Sequence, residues 1–346
     1  MDWRKITLPD SATIEEGLNA LNRSRAQILL VIDDELRLRG CVTDGDIRRQ
    51  LLRNSDLKAS IREAMIANPI TAKVESLISD KLKMLKDHKL VALPVLFENG
   101  RIHSVIHKDD SLDFLDENFC AVIMAGGKGS RLGALTQTTP KPLLEVGGKS
   151  LLERSISHLA QEGFKEIFIS INYLADEIVD FLNSRTDLGV ELTFIREEIP
   201  LGTAGSLSLL PSRVRNKPIL VTNSDLIHDL SFLALAEFHL RQKSDISIVT
   251  KNYKVAIPYG VLSISNNRVC SFEEKPSYSY MIGAGITIVS PEALNLIKKD
   301  TRFDMTELFE ECLGSNKKIM SFLHNGLWID IGNPNDFALS QVLLSR

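Results

Sequence analysis

The four cysteines of this 346-residue chain stand far apart, so it has no CxxC pair and no disulfide framework. Cys41, Cys120, Cys270 and Cys312 read instead as small buried residues of a reducing compartment. No apolar run is long enough to span a bilayer. The opening MDWRKITLPD is polar and lacks the apolar stretch of a secretory leader, so a cytoplasmic protein with no membrane contact is expected. A basic excess is also missing. The net charge is −4 with both signs spread along the chain, which argues against a nucleic-acid binder. The seven histidines form no HExxH and no metal-spaced pair, and no nucleophile triad is evident.

What is present suggests two domains. The first stretch repeats itself. Ser11–Leu21 reads as a helix capped by Ser11 or Thr13, followed by a strand at Ile28–Ile32, a turn at Asp33–Glu35 and a strand at Arg39–Val42. Thr43-Asp44-Gly45-Asp46 then opens a helix over Ile47–Leu52. The order recurs as a helix over Val74–Lys86, strands at Val91–Phe97 and Ile102–Ile106, and a helix over Ser111–Leu115. Asp46 and Asp110 occupy matching positions. Each such unit exposes one apolar sheet face, and pairing two units covers it. The strand ending in Thr43-x-x-Asp46 resembles the CBS-domain family. That resemblance implies a tandem CBS regulatory module over 1–116 that binds a nucleotide, usually of adenine. The Thr43 hydroxyl would meet phosphate, and Asp46 and Asp110 would meet ribose. His107 stands where the second repeat should have threonine. Without a ligand, Thr43 and Asp46 would simply cap the following helix. The boundary at Asp113–Asn118 is short and polar, which predicts domains packed together.

Residues 117–346 alternate strand and helix. The strands fall at Phe119–Met124, Ile167–Ile171, Leu192–Ile195 and Ile219–Thr222, and the helices at Leu151–Glu162, Asp176–Ser184 and Thr203–Leu210. This predicts an α/β domain, a Rossmann-like mostly parallel sheet, with ligands beyond the carboxyl ends of its strands. At the first such end lies Ala125-Gly126-Gly127-Lys128-Gly129-Ser130-Arg131-Leu132. Glycines there let backbone N–H groups approach a phosphate. The dinucleotide pattern GxGxxG fails at Leu132, and GxxxxGK[ST] fails as well. Thr139-Pro140-Lys141-Pro142-Leu143 follows, in which two prolines hold a lysine on a stiff segment.

The glycine loop with Ser-Arg-Leu, followed by Pro-Lys-Pro, resembles the sugar-1-phosphate nucleotidyltransferase family over residues 119–346. The resemblance implies a GT-A-like catalytic domain over 117–346, placed behind the α+β CBS module. Its substrates would be a nucleoside triphosphate and a sugar 1-phosphate, its cofactor Mg²⁺, and a homo-oligomer is expected. By the same resemblance Ala125, Gly126, Gly127, Gly129, Gly202 and Asn223 line the nucleotide site. Arg131 holds the β and γ phosphates, and Lys141 sits by the α-phosphate. Asp225 and Asp330 hold the metal. Tyr259, Gly260, Glu274 and Lys275 face the sugar, with Lys275 on its phosphate. Glu197, five residues before Gly202, faces the base. A carboxylate is acceptor-only and can take both adjacent donors of guanine, which favours GTP. Gly283 stands where many members have a sugar-binding asparagine.

CBS repeats ahead of this transferase resemble the glucosamine-1-phosphate guanylyltransferases of legionaminic acid synthesis. The rival readings are a mannose-1-phosphate guanylyltransferase, a uridylyl- or thymidylyltransferase, and a catalytically silent sugar-nucleotide sensor. A silent relative should have lost a phosphate cation or a metal aspartate, yet Arg131, Lys141, Lys275, Asp225 and Asp330 are all present.

Overall fold

The structure is a computed structural model that describes residues 3–24, 27–107, 114–185 and 187–344. The chain divides into two compact units, Met1–Leu112 and Asp113–Arg346. Among the described residues no helix is long and apolar enough to cross a membrane.

The internal repeat of the first unit is visible strand by strand. One three-stranded sheet runs Thr7–Pro9, Ile28–Ile32, Leu38–Thr43, and the other Ala72–Lys73, Ala92–Leu96, Ile102–His107. In each, the first pair is parallel and the second antiparallel. The register slips between Val31 and Ile32 in one and between Val95 and Leu96 in the other, the same place 64 residues on. Arg37 bridges to Arg101, its own equivalent at that offset. On either side Leu38 N–H donates to Gly100 and Ile102 N–H donates to Leu36. The two halves therefore meet about a local pseudo-twofold. The apolar runs Ile28–Ile32 and Ala92–Val95 are buried because the paired repeats cover them. The first helix, Ile14–Ser24, starts on Thr13, whose hydroxyl accepts the Glu16 N–H while Glu16 accepts the Thr13 N–H. The helix expected over Val74–Lys86 begins only at Ile78, because Ala72–Lys73 is used as a strand. Most of the helix expected at Ser111–Leu115, with Asp110, lies outside the described residues.

The second unit is built on a seven-stranded sheet. Its order is Glu191–Arg196, Glu166–Ile171, Cys120–Met124, Ile219–Asn223, Ser277–Val289, Ile246–Ala256, Ile319–Leu323. The first four strands are mutually parallel, and Ser277–Val289 runs antiparallel to both its neighbours. The central strands are apolar on both faces, as a sheet covered on both sides requires. Val122, Phe168, Ile219, Val289 and Leu308 share one core. Beneath the loops, Leu132, Val146, Leu151 and Ile331 form a smaller one. Cys41, Cys120 and Cys312 are buried as expected, whereas Cys270 is exposed on the hairpin strand Arg268–Glu273.

His239 is buried with its Nδ1 2.9 Å from Ser247 Oγ. Burial pushes its pKa down to about 4, and burial beside His158 and His324 pushes His228 down to about 3. Both stay neutral in the folded chain while the unfolded chain protonates them near pH 6.5. Their contribution to stability is complete above that value and lost as pH falls toward 4. Stability should therefore fall as pH drops below 6.5, by up to about 1.4 kcal/mol per pH unit for each histidine, and the melting temperature with it. Thermal melts of the wild type and His239→Gln check this, with a flatter pH slope expected in the variant.

Candidate active site

At the carboxyl end of Cys120–Met124 the chain leaves the sheet, its Ala125 N–H still donating to Ser170 over 2.9 Å. Gly129 has φ +63°, in the left-handed region. A Cβ added there would lie 2.9 Å from Lys141 Cβ, so the loop crosses directly over the lysine stem. Lys141 opens a short 3₁₀ turn, Lys141–Leu143, behind Pro140. Its buried ammonium forms an ion pair with Asp225 Oδ2. Gly129→Ala should push the loop off Lys141 and cost on the order of tenfold in kcat/KM, the scale of about 1.4 kcal/mol. Steady-state kinetics with an unchanged melting temperature would place that loss at the site rather than in the fold.

Asp225 and Asp330 are remote in sequence and adjacent in the fold. Leu226–His228 pairs antiparallel with Trp328–Asp330, Leu226 standing opposite Asp330. Ile331 N–H donates to the Asp225 carbonyl over 3.1 Å. Burial raises the Asp330 pKa, and the neighbouring Asp225 charge raises it further, against the opposing pull of Lys141 and Arg131. Arg131 also borders Gly332, where an added Cβ would stand 3.6 Å from Arg131 Nη1 and 3.8 Å from Asp330 Oδ1. Asp225 Oδ1 is buried with no hydrogen-bond partner among the described residues. An orphaned carboxylate oxygen beside a second carboxylate of raised pKa is the chemistry of a cation site. Among the described residues no cluster of three or more His, Cys, Asp or Glu could hold a metal. Two carboxylates suffice for Mg²⁺, which takes its other ligands from water and substrate phosphates.

A cleft of about 440 Å³ takes in most of these groups, though of the two aspartates only Asp225 lines it, with Gly332 on the side of Asp330. Gly126, Gly127, Gly129, Arg131, Lys141, Glu197, Gly202, Asn223 and Asp225 all line it. Ala125 lies beneath as a buried backbone position. Glu197 is buried, and both its oxygens are engaged. Oε1 accepts from Ser170 Oγ over 2.6 Å and Oε2 from the Leu201 N–H over 2.8 Å. Each oxygen keeps a second lone pair for a ligand. Gly202, at φ +80°, admits no Cβ, because Asp304 Oδ1 would lie 2.6 Å away. The Asp304 carboxylate instead accepts the Thr203 N–H, and the Ala204 and Gly205 N–H groups donate to Phe303. The helix expected over Thr203–Leu210 is accordingly short, Gly202–Gly205, and gives way to 3₁₀ turns. Asn172, Thr203 and Ser224, to which sequence reasoning gave no role, also line the cleft, as does Ser130 of the glycine-loop motif. Asn172 follows the strand Glu166–Ile171 directly, so the rule of carboxyl ends pointed at it.

The residues expected to face the sugar do not line this cleft and form a separate group. Tyr259 is 74% exposed, and Glu274 and Lys275 are exposed as well. Gly260 packs on Phe272 and Glu274, where a Cβ would meet them at 2.4 and 3.2 Å. Lys275 has φ +47°, an uncommon conformation for a non-glycine residue. In the first unit Thr43 and Asp46 close a capping box on the helix Asp44–Arg53. Asp46 accepts from the Thr43 N–H and hydroxyl, and it pairs with Arg49. Its carboxylate thus serves the helix cap. Asp110 lies outside the described residues.

The sequence pattern of the nucleotidyl transferase family matches residues 120–344, and that of the CBS domain matches residues 1–53. A mannose-1-phosphate guanyltransferase of Debaryomyces hansenii is 36% identical over 230 residues, 64% of this chain and 63% of that protein. The chain thus spans somewhat under two thirds of the curated relatives it matches. Among solved structures, HddC from Yersinia pseudotuberculosis aligns with 65% of this chain and 99% of its own at 28% identity and a TM-score of 0.53. The same protein has been solved complexed with GMP-PN. A putative glucose-1-phosphate thymidylyltransferase from Bacillus anthracis aligns with 66% of this chain and 95% of its own at 25% identity and a TM-score of 0.54.

Proposed function

This chain belongs to the nucleotidyl transferase family, and on that premise we propose that it joins GTP to a hexose 1-phosphate and releases pyrophosphate. One observation carries the reading. Arg131 and Lys141 from one stretch and Asp225 from another line one cleft, Asp330 from a third lies beside Asp225 within reach of their charges, and among the described residues Asp225 Oδ1 has no hydrogen-bond partner. A phosphate oxygen of the sugar substrate attacks the α-phosphorus of the triphosphate. A new P–O bond forms as the bond to the β-phosphate oxygen breaks, and pyrophosphate departs. No covalent enzyme intermediate is needed. Lys141 and Arg131 oppose the charge that grows on the non-bridging oxygens and the leaving pyrophosphate. The glycine loop offers backbone N–H groups to phosphate. Asp225 and Asp330 would hold Mg²⁺, which when bound screens the two anionic substrates from each other.

Glu197 supports guanine as the base. Its carboxylate borders Gly126 in the cleft and keeps lone pairs for two adjacent donors. The solved complex of HddC with GMP-PN and the guanyltransferase relatives point the same way. Glu197→Gln must turn an amide NH₂ toward either Ser170 or the Leu201 N–H. It should cost about 1–2 kcal/mol of stability and lower the GTP-to-UTP preference several-fold. Melting and competition assays read the two effects separately. A lower melting temperature with an unchanged preference would reduce Glu197 to a support for its loop.

The domain order favours glucosamine 1-phosphate as the sugar, and the D. hansenii relative favours mannose 1-phosphate as the second reading. The deciding experiment sets four triphosphates against glucosamine, N-acetylglucosamine, glucose and mannose 1-phosphates, scored by pyrophosphate release. GTP with glucosamine 1-phosphate should turn over fastest. Faster turnover with UTP or dTTP would overturn the base assignment, and a preference for mannose would move the sugar to the second reading.

A further inference from the structure

The strands Glu166–Ile171 and Glu191–Arg196 run parallel and in step to their carboxyl ends, where Ile171 stands beside Arg196. The next residues are Asn172 and Glu197, so the same register sets an amide beside the carboxylate assigned to the base. Asn172 is held from both sides. The Ile171 carbonyl before it accepts the Glu197 N–H over 3.0 Å, and the Tyr173 N–H after it donates to the Gly126 carbonyl over 3.4 Å. Gly126 is the narrow point between the two side chains. A Cβ added there would lie 3.2 Å from Glu197 Oε1 and 3.3 Å from Asn172 Cβ. Both residues line the cleft.

The Asn172 amide has one orientation. Its Nδ2 donates to the Glu197 carbonyl over 2.8 Å. A carbonyl only accepts, so the NH₂ must face it and Oδ1 must face away. Among the described residues no group donates to that oxygen. Nor is it closed off, since the buried side-chain atoms without a partner, among the described residues, are Asp225 Oδ1 and Ser244 Oγ. The half-buried Asn172 therefore presents an open acceptor on the cleft wall, locked in direction by its own donor. A few fixed polar groups of this kind are what gives a ligand cleft its specificity.

We propose that Asn172 is a second base-reading residue, whose Oδ1 accepts the hydrogen of the guanine 2-amino group that Glu197 leaves over. The inference rests on guanine being the base and deepens that reading. Guanine offers three donor hydrogens on neighbouring atoms, one on N1 and two on the amino group. Glu197 takes the N1 hydrogen and the nearer amino hydrogen. Each of its oxygens already accepts once within the protein, from Ser170 or from the Leu201 N–H. The third donor therefore needs another acceptor, and Asn172 Oδ1 stands on the adjoining strand end. Uracil and thymine instead set a carbonyl oxygen on each side of their one N–H. Against them the Asn172 oxygen would meet acceptor with acceptor and lose its water without gaining a donor, which is costly.

Titration calorimetry of the full chain with Mg²⁺ and GTP, ITP, UTP or N²-methyl-GTP tests this without any sugar phosphate. ITP lacks the 2-amino group, and N²-methyl-GTP has a methyl in place of one amino hydrogen. The wild type should bind GTP about tenfold or more tightly than ITP, and N²-methyl-GTP about 3- to 10-fold more weakly than GTP. Asn172→Ala should lower the GTP-to-ITP ratio about 3- to 10-fold, the scale of one hydrogen bond. Loosening of the Glu197 segment is the rival cause of such a fall, and Asn172→Asp separates the two. Aspartate keeps an acceptor at this place but cannot donate to the Glu197 carbonyl, so it should restore the ratio. Equal binding of GTP and N²-methyl-GTP by the wild type overturns the proposal, whether or not the variants fold. So does a ratio that alanine leaves unchanged, or one that aspartate lowers as far as alanine does, which would make Asn172 a support for Glu197 alone. UTP bound more tightly than GTP sinks the guanine reading together with this one. GTP preferred over UTP with an unmoved GTP-to-ITP ratio sinks only the role of Asn172.

Discussion

Asp225→Asn should abolish most turnover, lowering kcat by about 10²-fold or more, the scale of removing one electrostatic stabiliser from a reacting centre. The substitution keeps shape and removes charge. Asp225 supplies a carboxylate whose Oδ1 has no partner among the described residues and whose Oδ2 neutralises Lys141. With asparagine, the orphaned oxygen becomes a weak neutral ligand, and Asp330 is left as the only carboxylate of the pair. Its pKa, raised by burial and then by Asp225, should fall once that neighbouring charge is gone. Two measurements check the account. Pyrophosphate release gives the rate, and a Mn²⁺ titration followed by its electron spin signal gives the affinity for the cation. A near-normal rate, or unchanged cation affinity, would remove Asp225 from the metal role.

Lys141→Met should lower kcat by about 10²- to 10³-fold with a smaller change in the KM for GTP, because its charge matters most where charge develops. The same substitution should tighten cation binding. The Lys141 ammonium pairs with Asp225 and so competes with any other cation for that carboxylate. Methionine fills the volume without the charge. Tighter Mn²⁺ binding with slower turnover is a combination that a merely structural lysine would not produce. Weaker binding would mean that Lys141 positions Asp225 rather than competing for it.

The glycine-loop side of the cleft was legible in the sequence for a local reason. The glycine loop, Ser130-Arg131 and Pro140-Lys141-Pro142 are short stretches whose conformation is set by their own residues, φ freedom in one and fixed φ in the other. The central strands were legible because continuous apolar runs such as Cys120–Met124 fit a sheet covered on both faces. The helix after Gly202 was misjudged in length because Asp304 and Phe303, a hundred residues on, take the N–H groups of that segment. Glu197 was readable as a carboxylate facing the cleft, while its bonds to Ser170 and Leu201 depend on a neighbouring strand and a loop folding back.

Sequence alone determined which chemical groups this protein has: the glycine loop, the two cations behind it, the two aspartates at strand ends, and a repeat whose halves match at one offset. Only the tertiary structure decided which of them meet. The pairing of Leu226–His228 with Trp328–Asp330 sets Asp225 beside Asp330, and no spacing in the chain encodes a contact across so many residues. Local conformation follows from neighbouring residues, but burial and charge pairing are properties of surfaces that exist only once the sheet has formed.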